Sequence, residues 1–511
     1  MIKSSSKITL VQKIVSILTS PNMFKFVLGL FVFQALWIAL TGRYPMAFDE
    51  DFHLGIIKIY AHHISPFWNS QPEAVNTYGA VFRDPSYLYH YLMSFPYRLI
   101  SLYSYDQNSQ VVWLRFINIG LFVWGISIFK KVLSFVGASK AALNSTLLLF
   151  VLIPVVPLLA AQINYDNLFF PMVGLVLLMT LKVSKSLVAN SQIKILELLV
   201  LVSLALLTSL IKYAFLPIFL SITIYLVLLF NKTFVSWSQF YDSIISSWKK
   251  QGTFIRIFMF SAVIVSAGLF SQRYIVNTYL YHSPIPECSK VLNIEACSDY
   301  GPWVRDYNFK KSRVVSSPNI VVYSANWVYG TWFRLFFSVG GLSTQYETRG
   351  ALLLPGVISI IVSVSGLLLL VKYYKSILAK YDQASIVLLT VVFIVYILVL
   401  WIDQFAAFSR TGQPVAINGR YIIPVLLPIM LFVALAFGQL SKINNKLKTI
   451  LISITILGMF WGGGAMTYII RSNDDASWWW TNAYTIDANR GLKAVFHKVM
   501  PGFYDWGRFW R

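Results

Sequence analysis

Residues 23–53 read MFKFVLGLFVFQALWIALTGRYPMAFDEDFH. From Met23 to Thr41 the only charge is Lys25, and roughly 20 apolar residues suffice for a helix to cross a bilayer. Directly behind this candidate span stand three consecutive carboxylates, Asp49, Glu50 and Asp51. Like charges so close repel and raise one another's pKa. Such a run persists where it binds a cation, takes up a proton or caps a helix. A helix expected over about 52–63 needs one acid at its start, which leaves carboxylates for chemistry at the membrane edge.

The rest of the 511-residue chain extends the membrane reading. It is 57 % hydrophobic and 12 % charged, with a mean hydropathy of +0.65, whereas soluble domains carry about 25 % charge. This composition excludes a soluble enzyme, a disordered protein and a disulfide-rich module. Apolar segments recur at about 23–41, 111–129, 141–159, 168–182, 195–210, 214–230, 256–275, 351–371, 384–402, 421–440 and 449–469. Without the alternation of a membrane barrel, they predict an all-α polytopic protein of about eleven transmembrane helices. With the N-terminus inside and the C-terminus outside, the inner loops hold nearly half of the 42 basic residues, but of the 20 acids they hold Glu197, Asp242 and Asp382 alone. This is the positive-inside distribution, and it assigns the net charge of +22 to membrane lipids and not to nucleic acid. The first span reads as an uncleaved anchor, because no A-x-A site ends it and Arg43 follows closely.

The segmentation that follows is a cytoplasmic stretch 1–22, a transmembrane core 23–275 with a large amphipathic outer loop 42–110, a long outer loop 276–350, further spans over 351–470, and an aromatic and basic outer tail 471–511. Within the first loop, Ile56, Ile57, Ile59, Tyr60 and Ile64 form one apolar set, and Tyr87, Leu88, Tyr91, Leu92 and Phe95 form another at helical spacing. Cys288 and Cys297 in the second loop suit a disulfide on an oxidising face. The tail, with Trp478–Trp480 and a helix expected from Asp487 to Met500, suits the headgroup level of a bilayer. All six histidines and most arginines fall outside, where a planar guanidinium fits phosphate or carboxylate. Arg83, Lys58 and His53 lie in the first loop. Asp166 sits in the polar knot Gln162–Asn167, whose Asn-Tyr-Asp-Asn run also serves as a turn. Lys212 occupies a tight outer turn, and Gly419-Arg420-Tyr421 stands at the mouth of the tenth span.

This pattern resembles the GT-C glycosyltransferases, including protein O-mannosyltransferases and the aminoarabinose transferases of lipid A. Phe48-Asp49-Glu50-Asp51-Phe52-His53 is similar to their Asp-Glu motif, Asn164-Tyr165-Asp166 to their second outer acid, and Leu207–Lys212 to a segment ending in Thr-Lys, although Thr208 and Lys212 are not adjacent here. Asn418–Pro424 resembles the G-R-Y-x-x-P stretch of related bacterial membrane proteins. The resemblance implies inverting transfer of a sugar from a polyprenyl-phosphate carrier to a lipid, glycan or protein acceptor. The reaction would take place on the outer face of a bacterial inner membrane. It implies Asp49 as general base, with Glu50 and Asp166 orienting the acceptor or, with Asp49, holding a divalent cation such as Mg or Mn. It implies Arg420, Lys58, Arg83 and Lys212 as phosphate ligands, with Tyr421 and His53 beside the substrate. The alternatives are a flippase or transporter of a lipid-linked glycan, a polysaccharide polymerase or ligase using a pyrophosphate-linked donor, and a non-enzymatic scaffold.

Overall fold

A computed structural model describes residues 10–190, 192–234, 236–313, 319–336, 353–440, 445–471 and 479–499. Among them eight helices are long and apolar enough to cross a membrane: Met23–Thr41 (α1), Gln107–Ser134, Asp166–Ala189, Tyr213–Thr233, Thr253–Tyr281, Val357–Lys380, Gln383–Thr411 and Gly419–Gln439. The remaining three expected spans are shorter apolar helices, for local reasons. Ile195–Ile211 stops at Lys212, which turns extended. The segment 141–159 is broken into Lys140–Val151 and Val155–Ala160, because Pro154 has no N–H to donate to the preceding turn. The last expected span ends at Gly462, and Gly464 takes φ +59°, a conformation that favours glycine.

The two breaks satisfy each other. Gly464 N–H donates to Leu152 O, 2.7 Å. Gln34, buried inside α1, donates to Val151 O and accepts from Ala465 N. Carbonyls and amides freed within an apolar bundle need such partners. This buried amide of α1 is thus placed by irregularities far along the chain. The bundle centre is aromatic: Phe31, Phe122, Phe129, Phe150 and Phe170 stack at centroid distances of 4.5–6.3 Å. Between helices in lipid such close packing, not water exclusion, supplies the attraction.

On one end of the bundle lies the first loop. Its helices Glu50–Ala61 (α2) and Leu88–Tyr103 (α3) pack together, and Arg98 clasps the end of α2 by donating to Tyr60 O and His63 O. α2 starts two residues earlier than the apolar spacing suggests, because the acidic run itself enters the helix. In the second loop Cys288 and Cys297 are joined by a disulfide.

The tail departs from the sequence reading. Its helix runs Ala483–Val499 and is capped by Asn482, not Asp487. Trp479 is buried and pairs with Gly42 in an antiparallel bridge. Trp480 N donates to Thr41 O, and Asn489 accepts from Trp37 Nε1 at 3.0 Å. The described part of the tail therefore docks on the end of α1. Trp478 lies outside the described residues.

Candidate active site

Where α1 gives way to α2, Phe48 and Asp49 both take left-handed backbone angles, φ 65° and 67°. Each costs about 1–2 kcal/mol for a residue with a Cβ. The turn is held by its carbonyl: Phe48 O accepts from Asn164 Nδ2 at 2.9 Å and from Arg420 Nη1 at 3.0 Å. Asp49 stands at the helix-cap position but caps nothing. Its Oδ2 instead accepts from Arg420 Nη2, 3.0 Å; the Asp49 side chain is 66 % exposed and that of Arg420 only 7 %. The guanidinium lies over the rings of Phe48 and Tyr421 at 4.9 and 5.2 Å.

Asp166 opens the helix Asp166–Asn190 (α4), having followed Gln107–Ser134 and the broken pair. Its N–H donates to Asn164 Oδ1, and its Oδ1 accepts from Lys212 Nζ at 2.6 Å, both side chains 6 % exposed. The ammonium rests over Tyr165 and Tyr421 at 4.5 and 5.0 Å. Two cation–carboxylate pairs thus share one aromatic wall. Burial and then Asp166 push the Tyr165 hydroxyl up, so it stays a donor.

His53 follows one helical turn after Asp49. Its Nδ1 shares a 2.9 Å hydrogen bond with His90 Nε2, the rings stacked at 5.2 Å. Burial, His90, Arg420 and Lys212 hold His53 well below 6.5, and burial pushes His90 down to about 3. Both imidazoles are neutral in the folded chain. An unfolded imidazole binds its proton near 6.5 while folded His90 waits until about 3, so the unfolded chain holds more protons in between and stability falls as pH drops through that window. The thermal midpoint is expected to fall below about pH 6.5 and to fall less steeply in His90→Gln. A wild-type midpoint that stays flat on acidification would contradict the neutral pair.

Asp49, Asp166, Lys212, Arg420, Tyr421 and His53 are therefore brought together. Glu50, Lys58 and Arg83 of the expected set have other partners. Glu50 is fully buried; both oxygens are taken by Arg115 at 2.8 and 2.7 Å and by the N–H groups of Ile163 and Met46. Its carboxylate ties these segments together from inside the bundle. Lys58 lies nine residues along α2, about 13 Å at 1.5 Å per residue, and binds Gln107. Arg83 rests over Phe82, and its carbonyl accepts from Asn277. The expected Mg or Mn site on Asp49, Glu50 and Asp166 does not fit. Each carboxylate faces its own base, Arg420, Arg115 or Lys212, and among the described residues no three His, Cys, Asp or Glu side chains converge.

The sequence reading missed three supports. Arg115 is one. Another is the buried amide network in which Asn118 Oδ1 accepts from Tyr89 and Asn167 while Asn164 joins the two acidic motifs. The third is the helix Ile320–Phe336 (α5), read as outer loop although its apolar run was visible. Its Trp327 and Tyr323 pack along the span Gln383–Thr411 through Gln404, Phe405 and Phe408. Its far end meets Gly419, where a Cβ would lie 2.7 Å from Thr331 O and 2.8 Å from Leu335 N. Those atoms are helix backbone and cannot give way. Gly419→Ala is therefore expected to move the neighbouring Arg420 off Asp49 and lower turnover at least roughly tenfold, as small misplacements of a reacting geometry do. Turnover within twofold of wild type would show that the contact has no bearing on Arg420.

No protein-family model matches the chain, and no curated protein sequence matches it. Among solved structures it is similar to the oligosaccharyltransferase of Archaeoglobus fulgidus, crystallised with a disulfide-tethered acceptor peptide containing the NVT sequon, with a TM-score of 0.45 and 13 % identity. The similarity covers 92 % of this chain and 55 % of that one, so the chain spans about half the length of the archaeal protein.

Proposed function

We propose that the chain is an integral-membrane glycosyltransferase of the GT-C type. In this reading it moves a sugar, with inversion, from a polyprenyl-phosphate carrier to a cell-envelope acceptor on the outer face of a bacterial inner membrane. One observation carries the reading: an exposed carboxylate, Asp49, is fixed by strained backbone beside a buried guanidinium, with a second buried cation, Lys212, on the same aromatic wall.

That juxtaposition suits the two charges the reaction develops. The acceptor hydroxyl or amine gives its proton to the free oxygen of Asp49 as its own heteroatom attacks the anomeric carbon. The carbon–oxygen bond to phosphate breaks on the opposite side, and its electron pair stays on the phosphate. Arg420, a planar fork, faces that oxygen, and fixed cations in a dry site stabilise the departing charge. Lys212 adds field and Asp166 holds it. Glu50, Lys58 and Arg83 have no part in this scheme. The test is acceptor-dependent release of free polyprenyl phosphate by the purified chain, given a panel of polyprenyl-phosphate sugars with crude envelope acceptors. Release in step with sugar on product supports the reading. Carrier movement across liposomes without release would replace it with a flippase.

A further inference from the structure

We infer that Asp49 is the resting occupant of an anion site built on Arg420, and that a phosphate ester entering the site displaces it, freeing the carboxylate to act. The inference rests on the glycosyltransferase reading for the use made of the freed carboxylate, not for the exchange itself.

The asymmetry of the ion pair carries the argument. Arg420 is held on several sides, by Phe48 O on Nη1 and by the rings of Phe48 and Tyr421. Its buried Nε has no hydrogen-bond partner. Asp49 is held through one oxygen and is two-thirds exposed. When an anion arrives, the cation stays and the carboxylate leaves. The neighbouring pair has no such freedom: Asp166 and Lys212 are both buried, and Asp166 Oδ2 is sealed from solvent without a hydrogen-bond partner, so that carboxylate has nowhere to go. A planar fork carrying five N–H groups accepts two oxygens of a phosphate as readily as those of a carboxylate. The exchange takes Asp49 out of its contact with Arg420 and leaves both carboxylate oxygens open to an acceptor. The base is masked while the donor is absent and unmasked when the donor binds.

Competition has a signature by reciprocity: whatever removes the resident anion must strengthen the incoming one by the same coupling. The measurement is the Kd of farnesyl phosphate for the detergent-solubilised full chain by calorimetry. Asp49→Asn is expected to bind it about 5- to 50-fold more tightly than wild type. Asp49→Ser is the second variant, should the amide keep the Arg420 contact or disturb folding. Asp51→Asn, which removes an exposed charge two residues away, is expected to change Kd less than about twofold. Arg420→Gln is expected to abolish binding alone and combined with Asp49→Asn. Unchanged or weaker binding in both Asp49 variants overturns the inference, as does equal tightening in Asp51→Asn or binding that survives Arg420→Gln. Inorganic phosphate run alongside distinguishes the sources: tightening for it too assigns the site to phosphate in general, and tightening for farnesyl phosphate alone assigns it to a lipid headgroup. Transfer on the same variants separates this inference from the proposed function. Tighter binding with transfer retained removes the base role and keeps the exchange. Lost transfer with unchanged Kd does the reverse.

Discussion

Asp49→Asn is expected to lower the rate of sugar transfer by about 10²- to 10⁴-fold, the range a positioned general base supplies. The substitution changes one atom, and the amide oxygen can still accept from Arg420, whose Nη2 lies 3.0 Å from the present carboxylate. The negative charge is lost, and with it the ability to take a proton. Stability should change by less than about 1 kcal/mol, since an ion pair with one exposed partner contributes little. The loss should appear in kcat and not as a raised donor KM, because a base acts in the transition state and its removal takes nothing from donor binding. Asp51→Asn is the internal control. Asp51 has the same charge in the same acidic run but is exposed, so its replacement should leave transfer within a fewfold. Single-turnover transfer on both variants, alongside their thermal midpoints, decides the matter. Full activity in Asp49→Asn removes the base assignment, and equal losses in both variants reduce the acidic run to a diffuse field.

What the sequence discloses here follows from the cost of charge in a bilayer. Apolar runs mark the long spans, and a charge at a span end is visible because it is so rarely there by chance. Asp49, Asp166, Lys212 and Arg420 were all legible on that ground, and the structure pairs them two by two. Which carboxylate does what was not legible. Neighbours on a helix point about 100° apart, so of Asp49 and Glu50 one faces the opening and the other the core, and the run of letters does not say which. The decision is made by Arg115, 65 residues away in sequence. Helix breaks were hidden for a similar reason. Pro154 and Gly464 are local signals, but the hydrogen bonds that make the breaks tolerable join Leu152 to Gly464 and Gln34 to Ala465. Lys58 and Arg83 looked equivalent to Arg420 as outer bases. Distance along α2 sets Lys58 apart from it, while Arg83 sits in a turn, its carbonyl accepting from Asn277 and its Nε and Nη1 buried without a hydrogen-bond partner.

The largest effect on stability is expected at Glu50 and Arg115. Both side chains are fully buried. The guanidinium makes four hydrogen bonds, two to Glu50 and one each to Ala39 O and Gly42 O. Glu50 in turn accepts from Met46 N and Ile163 N. One pair thus ties the end of α1, the start of α2, the helix Gln107–Ser134 and the turn before Asp166. Removing either partner strands a charge in a fully buried site, a loss of about 3–5 kcal/mol. Glu50→Ala and Arg115→Ala are each expected to lower the thermal midpoint sharply in detergent. Paired replacement by apolar residues of similar volume, Glu50→Leu with Arg115→Met, should recover much of it, because much of the loss is the cost of the stranded partner. Because Met46 and Ile163 flank the two acidic motifs, the recovered double variant should still transfer more slowly than wild type, its Phe48–Asp49 turn no longer held from behind. Single variants with unchanged midpoints would show that the pair is dispensable to the fold. A double variant stable and fully active would show that Glu50 has no part in holding Asp49 in place.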